Sequence, residues 1–263
     1  MKQLLYRILS KWTKAFFKDR IVGKKVSGLD KVLYYEMAQH LTFLFQREIR
    51  YEPGLQHQIG RYLRPGAVVF DIGANIGQYA LFFSEQVGEG GRVYSFEPDP
   101  RNYAFLQFNV HLNRCRNVVC CPFGIGAEDA EQPLFRDTDT GGRRSSFKKE
   151  FVGAHYHGSS ETVAVKRLDG LIAAFGQPDF IKIDVEGFEE EVLRGLTVDL
   201  RDCVFLIEVR EETKGGVLEY FVQRGYECLW VEGQGRKIAR ASEIPGFAHL
   251  IFRRPSREEG GAG

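Results

Sequence analysis

Apolar runs separated by polar, helix-spaced segments dominate residues 65–252 and predict strands that alternate with helices. The first run, residues 67–70, lies between Pro65-Gly66 and a glycine-containing turn, which is typical of a strand buried on both faces of a parallel sheet. Later runs of the same character cover residues 92–96, 117–121, 179–187, 204–209, 226–231 and 247–252. This order predicts an α/β fold with a doubly wound, mostly parallel sheet of seven strands, whose ligands bind beyond the carboxyl ends of the strands.

The first 63 residues predict a helical extension instead. Apolar residues recur at three-and-four spacing over residues 2–18 while lysines occupy the opposite face, which predicts a basic amphipathic helix. A second helical pattern covers residues 27–50 and a third covers residues 55–63. We therefore expect the extension at 1–63, the α/β domain at 64–254 and a disordered tail at 255–263.

The turn after the first strand predicts a nucleotide-like cofactor. Gly73 and Gly77 allow the backbone to approach a ligand closely at a helix N-terminus. A dinucleotide fingerprint would need glycines where the chain has Asn75 and Gln78, and this disfavours a nicotinamide-dependent oxidoreductase. Glu97 ends the second strand twenty residues after Gly77, an offset that suits a carboxylate bound to a ribose diol.

Three ordered motifs carry a family resemblance. Phe70–Gly77, Phe96-Glu97-Pro98 and Ile181–Gly187 together resemble the FkbM family of S-adenosylmethionine-dependent methyltransferases, over about residues 65–210. The resemblance implies a Rossmann-like class I methyltransferase fold with an antiparallel last strand, S-adenosylmethionine as cofactor, and methylation of a hydroxyl on a small-molecule, sugar, glycan or secondary-metabolite acceptor. The candidate cofactor-binding residues are Glu52, Asp71, Gly73, Ala74, Asn75, Gly77, Glu97, Phe123, Gly124 and Asp184.

Three of these candidates have an alternative interpretation. Glu52 matches a family glutamate near the cofactor pocket, but it fits a surface turn equally well. Phe123 and Gly124 follow the third strand, where class I methyltransferases hold the adenine ring, yet a phenylalanine here also suits the core.

Methyl transfer needs an aligned acceptor oxygen and the removal of one proton, so we looked for catalytic groups near the fourth strand. Asp184 is the first candidate, as a carboxylate at the methyl end of the cofactor or one that orients the acceptor. Glu186 is a second, although it could equally cap the next helix. Lys182 is a third candidate. Because it alternates with apolar neighbours, the pattern favours the role of an ion-pair partner. Glu208 ends the neighbouring strand.

Residues 136–160 are polar, contain a glycine pair and lack periodicity. A long insertion of this kind predicts a lid or a disordered loop. Its arginines and histidines, His155 among them, are expected to face an anionic or sugar-rich acceptor. His155 and His157 have a spacing that suits a metal ion, but no third ligand is assignable and the metal is left open.

Composition restricts the partners. The 263 residues are 43% hydrophobic with a formal net charge of +1, which predicts one main domain and no nucleic-acid partner. Residues 1–25 carry +7, so the helix at 2–18 is expected to contact the catalytic domain, a second copy of the chain or an anionic membrane surface. The absence of an 18-residue apolar run or a secretory signal, together with five cysteines, predicts a cytoplasmic protein. A cofactor-binding scaffold without turnover, acting as a partner subunit in a biosynthetic complex, is the alternative function.

Overall fold

A computed structural model describes residues 20–137 and 144–255 of the chain. The helix expected at 2–18, most of the predicted tail and part of the predicted lid lie outside these ranges. The strands are β1 Ile21–Lys25, β2 Val32–Glu36, β3 Val68–Ile72, β4 Arg92–Phe96, β5 Val118–Cys121, β6 Gly124–Gly126, β7 Ala130–Asp137, β8 Tyr156–Arg167, β9 Phe180–Ile183, β10 Val204–Arg210, β11 Glu227–Trp230, β12 Arg236–Ile238 and β13 Phe247–Arg253.

Helices follow most strands of the α/β domain. They are α1 Leu41–Leu44, α2 Pro53–Gly60, α3 Gln78–Val87, α4 Pro100–Leu112, α5 Lys149–Val152, α6 Leu168–Phe175, α7 Glu189–Arg194 and α8 Lys214–Val222, with single 3-10 turns at Gly153–His155 and Ala241–Glu243. Helix α4 begins as its sequence predicts, because Asp99 accepts hydrogen bonds from the first backbone N–H groups and Pro100 occupies the first turn. In the described residues, no helix is long and apolar enough to cross a membrane.

The main sheet confirms the predicted α/β fold but is larger than expected. Among the described residues it has eight strands in the order β12-β11-β13-β10-β9-β3-β4-β5, not seven. Strands β5, β4, β3, β9 and β10 are parallel, and β13 lies antiparallel between β10 and β11. The extra strand β12 has three residues, of which Ile238 alone is buried, so its sequence carries almost no apolar signal.

The helix predicted over residues 27–50 is wrong. Strands β1 and β2 form an antiparallel hairpin, and the region's one described helix, α1, spans four residues. Two asparagines hold the outer edge of β2. Asn109, on α4, bonds both backbone groups of Tyr34, and Asn113, which follows α4, bonds both of Val32. Because these partners lie some 75 residues away, local periodicity could not reveal the strand.

The stretch predicted to be structureless, residues 136–160, is largely folded where it is described. Strand β8 pairs antiparallel with β7 and parallel with β6, and α5 precedes it. Most side chains of β8 are exposed or partly exposed, so the strand shows no apolar alternation along its first half. This three-stranded sheet brings Arg144, Ser145 and Phe147 to the carboxyl edge of the main sheet.

Candidate active site

A cavity of about 360 Å³ opens at the carboxyl ends of β3, β4, β9 and β10. This is the edge at which a doubly wound sheet is expected to bind ligands. The predicted site residues in its wall are Glu52, Gly73, Asn75, Glu97, Gly124, Asp184 and Glu186. The other predicted site residues are not part of the wall, namely Asp71, Ala74, Gly77, Phe123, Lys182 and His155.

The glycine turn approaches the fourth parallel strand so closely that it excludes side chains. Gly73 has φ +81°, and a Cβ added there would lie 1.9 Å from the carbonyl oxygen of Asp184. The amides of Gly73 and Ala74 both donate to the carbonyl oxygen of Phe96 at 3.0 Å, which ties the turn to the end of β4. Gly77, at φ +99°, then begins α3. The turn therefore aims its remaining backbone groups at the cavity.

Glu97 holds the same turn and faces the cavity. Its carboxylate accepts hydrogen bonds from the amides of Asn75, at 2.7 Å, and Asp99, at 2.9 Å. Burial, and then the charge of Asp99, raise the pKa of Glu97 to about 8. Each carboxylate oxygen has two acceptor sites, so each retains one for a hydroxyl donor in the cavity.

A buried ion network lies under the turn. Asp71 and Lys182 are cross-strand neighbours on β3 and β9. Lys182 Nζ lies 3.7 Å from Asp71, 3.1 Å from Asp184 and 5.0 Å from the ring centroid of Tyr79. Burial lowers the pKa of Lys182, but the charges of Asp184 and Asp71 outweigh it and leave that pKa raised. Burial raises the pKa of Asp71 to about 6. Lys182 thus lies where an ion-pair partner is expected, behind Asp184.

Glu52 lies in the cavity wall and not on a surface turn. It adopts φ +43° immediately before α2 and accepts a hydrogen bond of 2.7 Å from the hydroxyl of Tyr79. Phe123 packs beside Phe96 with ring centroids 5.7 Å apart, which supports the core alternative, while its neighbour Gly124 reaches the cavity. His155 lies in the 3-10 turn before β8, away from the wall.

Three carboxylates converge at the far end of the cavity. Asp184, Glu186 and Glu208 offer oxygens that all lie within 4.8 Å of one another. Arg210 pairs with Glu186 and, at 3.1 Å, with Glu208. Burial, and then the charge of Asp184, raise the pKa of Glu186 to about 8. Because Arg210 already compensates the negative charge of Glu186 and Glu208, we do not assign the cluster as a metal site.

The sequence did not point to several residues of this end of the site. His249 lies directly opposite Glu208 in the antiparallel pairing of β10 and β13, and Phe247 lies opposite Arg210. Arg210, Phe247 and Arg144 line the cavity. The position of Arg210 at the end of a strand could have indicated a site residue. The place of His249 beside the site follows only from the register of β13.

This topology, with its cavity at the carboxyl edge of β3 and β4, agrees with the Rossmann-like class I methyltransferase fold expected from the sequence. Residues 71–228, more than half of the chain, match the methyltransferase FkbM domain, and the chain therefore belongs to the FkbM methyltransferase family. This match confirms the family expected from the three motifs and its cofactor, S-adenosylmethionine.

Curated relatives share the same domain. Methyltransferase 1 of Beauveria bassiana is 28% identical over 52% of this chain and 61% of its own. The 31-O-demethyl-FK506 methyltransferase FkbM of Streptomyces tacrolimicus is 30% identical over 60% of this chain and 70% of its own. The hexuronic acid methyltransferase AglP of Haloferax volcanii is 28% identical over 53% of this chain and 54% of its own. The matched region thus spans about half to two thirds of these relatives.

The residues of the cavity fit S-adenosylmethionine. Ligand pockets of this type have a volume of roughly 300 to 1,000 Å³, and this cavity lies at the lower end of that range. The side-chain oxygen of Asn75 is buried and accepts no hydrogen bond from the described residues. It and the free acceptor sites of Glu97 are therefore available to hydroxyl or amino donors of the cofactor.

Proposed function

We propose that this protein transfers the methyl group of S-adenosylmethionine to a hydroxyl oxygen of a sugar, glycan or secondary-metabolite acceptor. The carboxylate cluster of Asp184, Glu186 and Glu208 carries the proposal, because carboxylates accept hydrogen bonds from hydroxyl groups and take up the proton that methylation releases. The names of two relatives, a 31-O-demethyl-FK506 methyltransferase and a hexuronic acid methyltransferase, agree with oxygen-containing acceptors.

On this proposal, the cofactor end of the cavity has four contributors. Glu97 accepts hydrogen bonds from the ribose, Asn75 from a further donor, and the backbone at Gly73 contacts the cofactor without steric hindrance. Glu52, held by Tyr79, adds a second carboxylate on the opposite wall. Bound there, S-adenosylmethionine supplies an activated methyl group.

The acceptor end is formed by a different set of residues. Asp184 orients the acceptor hydroxyl and is itself held by the ammonium of Lys182. Arg144 and Phe147 reach the cavity from the predicted lid segment, and Phe247 reaches it from β13. We assign the acceptor to the space between these side chains and the carboxylate cluster. Positioning of this kind supplies on the order of 7 kcal/mol of the barrier reduction in well-aligned reactions.

A methyl-transfer screen tests the proposal. Tritiated S-adenosylmethionine is offered with p-nitrophenyl glycosides of neutral hexoses and of hexuronic acids, with cyclohexanol as a simple secondary alcohol and with benzylamine as an amine control. We expect label on a hydroxyl acceptor, and loss of that label in Asp184→Ala with calorimetric binding of the cofactor retained. Exposed Glu212→Gln serves as the control variant.

Two outcomes would contradict the proposal. Label on the amine alone would show that transfer is not directed to oxygen. Binding of the cofactor without transfer to any acceptor would favour the alternative, a scaffold or partner subunit without turnover. The family match already argues against the nicotinamide-dependent oxidoreductase.

A further inference from the structure

Methylation of a hydroxyl releases a proton inside a cavity that is partly closed to water. The geometry points to Glu208 as the group that accepts this proton, and to His249 and Glu232 as the path by which a proton is released to solvent in response. The inference rests on the proposed oxygen-directed transfer, and it assigns roles to a histidine and a glutamate outside the cavity wall.

The three side chains form a line from the cavity to the surface. Glu208 Oε2 lies 3.5 Å from His249 Nε2, and His249 Nδ1 lies 2.5 Å from Glu232 Oε1. The side chains of Glu208 and His249 are 11% and 10% exposed, while that of Glu232 is 45% exposed. The imidazole therefore links the carboxylate at the cavity to a solvated carboxylate.

The pairing of the strands fixes this line. Glu208 and His249 are direct cross-strand partners, so their side chains project from the same face of the sheet. The backbone amide of His249 also donates to Glu232 at 3.2 Å, and this second contact holds the glutamate at the imidazole. A shift of the Glu208 carboxylate by a few tenths of an ångström brings Oε2 within the usual hydrogen-bond distance of His249 Nε2.

The other two carboxylates of the cluster pair with cationic side chains. Asp184 faces the buried ammonium of Lys182, which is itself paired with Asp71. Glu186 pairs through Oε2 with Arg210. Glu208 places one oxygen on Arg210 and directs the other at His249.

The proton balance closes without a further reactant. The acceptor O–H proton moves to the Glu208 carboxylate as the O–CH₃ bond forms, and the breaking S–CH₃ bond leaves its electron pair on sulfur. Neutralisation of Glu208 removes the negative charge that stabilises the imidazolium of His249, so Nδ1 releases its proton to Glu232. Glu232 delivers that proton to water. When the product leaves, Glu208 loses its proton to water and His249 takes one back, so one proton leaves the protein in each turnover.

The surrounding charges set the protonation state from which the relay starts. Burial, and then the charge of Asp184, raise the pKa of Glu208 and make it a stronger proton acceptor. Burial lowers the pKa of His249, but bonds to Glu208 and Glu232 and the charge of Glu52 outweigh it and raise that pKa to about 10. Burial raises the pKa of Glu232, but its hydrogen bond with His249 outweighs this and leaves that pKa lowered. At neutral pH the ring therefore carries a proton on each nitrogen, and Glu232 holds a released proton only briefly before water takes it.

Steady-state kinetics with the best hydroxyl acceptor of the p-nitrophenyl glycoside screen test the relay. General-base catalysis contributes about 100-fold or more, so we expect Glu208→Gln to lower kcat by about 100-fold while the Kd for S-adenosylmethionine changes less than twofold. His249→Gln is expected to lower kcat about tenfold, and Glu232→Gln less than that. Glu212→Gln, exposed and outside the line, is the matched control.

A pH profile separates proton transfer from a merely structural effect. Wild-type kcat is expected to rise with pH as Glu208 ionises, and this limb should be absent in Glu208→Gln. Should that variant fail to fold, Glu208→Asp retains the charge but lengthens the path, and the same limb is expected at a lower kcat.

The outcomes separate this inference from the proposed function. An active wild type with an equally active Glu208→Gln, or an unchanged pH limb in that variant, would overturn the relay alone. A wild type that labels no hydroxyl acceptor would overturn the proposed function, and the relay with it.

Discussion

At the scale of single residues, Gly73 determines how closely two strands approach at the site. Alanine there would place its Cβ 1.9 Å from a backbone oxygen and would also adopt φ +81°. We expect Gly73→Ala to lower the free energy of unfolding by about 3 kcal/mol or more and to weaken cofactor binding, because backbone cannot yield as a side chain does. Urea denaturation and calorimetry measure the two effects.

Gly66 provides the control for this prediction. It has nearly the same conformation, φ +85°, but an added Cβ meets nothing within 4 Å. Gly66→Ala should therefore cost only the conformational strain, about 1 kcal/mol. Equal losses in the two variants would show that the contact with Asp184 is not what requires glycine at residue 73.

Lys182 is the second residue whose role follows from its surroundings. Lys182→Met leaves Asp71 buried without its counter-charge, and breaking a buried ion pair in this way costs about 3 to 5 kcal/mol. The double variant Lys182→Met/Asp71→Asn should recover much of that loss, because it removes the uncompensated charge. Chemical denaturation of the four proteins in the cycle measures the coupling. Additive losses would contradict a direct Lys182–Asp71 interaction.

The raised pKa of Glu97 predicts part of the dependence of folding stability on pH. Its folded-state pKa of about 8 exceeds its ordinary value of 4.5, so the folded protein binds this proton more tightly than the unfolded chain does. The contribution is fully present below about pH 4.5 and is lost as the pH rises towards 8. In Glu97→Gln, whatever its absolute stability, the free energy of unfolding should fall less between pH 5 and pH 8. Denaturation across that range checks it, and an unchanged slope would contradict it.

At the scale of elements, strands buried on both faces were predictable and strands with distant partners were not. The sequence predicts strand β4 at its observed bounds, 92–96, because Val93, Tyr94 and Phe96 make it largely apolar. The pattern over β2 predicts a helix instead, because the groups that complete the strand's edge are the side chains of Asn109, on α4, and Asn113, which follows that helix. The first half of strand β8 gives no signal because it is largely solvated.

The attachment of the hairpin to α4 is testable at Asn109. This side chain is fully buried and bonds both backbone groups of Tyr34 as well as the carbonyl of Ile76. Asn109→Ala leaves these groups unsatisfied and should lower the free energy of unfolding by about 2 to 3 kcal/mol. Hydrogen exchange at the Tyr34 amide should accelerate by more than global unfolding explains. Gln107→Ala, exposed on the same helix, should change neither quantity.

At the scale of the whole molecule, the cofactor half of the site was predictable and the acceptor half was not. Gly73, Glu97 and Asp184 follow strands whose order the sequence reveals, and parallel strands bring their ends together. His249 depends on the register of an antiparallel strand, and Arg144 on a sheet whose polar sequence hides it. The methyl donor could thus be inferred from local motifs, whereas the proposed proton path needed the tertiary structure.

Cofactor binding should be visible in the stability of the whole chain. A ligand that binds the native state alone adds about 2.7 kcal/mol to the free energy of unfolding at 100 times its Kd. We expect S-adenosylmethionine to give this increase and NADH at the same concentration to give none, since the turn has Asn75 and Gln78 where a dinucleotide needs glycine. Denaturation with each ligand measures it. Stabilisation by NADH, or none by S-adenosylmethionine, would contradict the assignment of Glu97 and the glycine turn to the methyl donor.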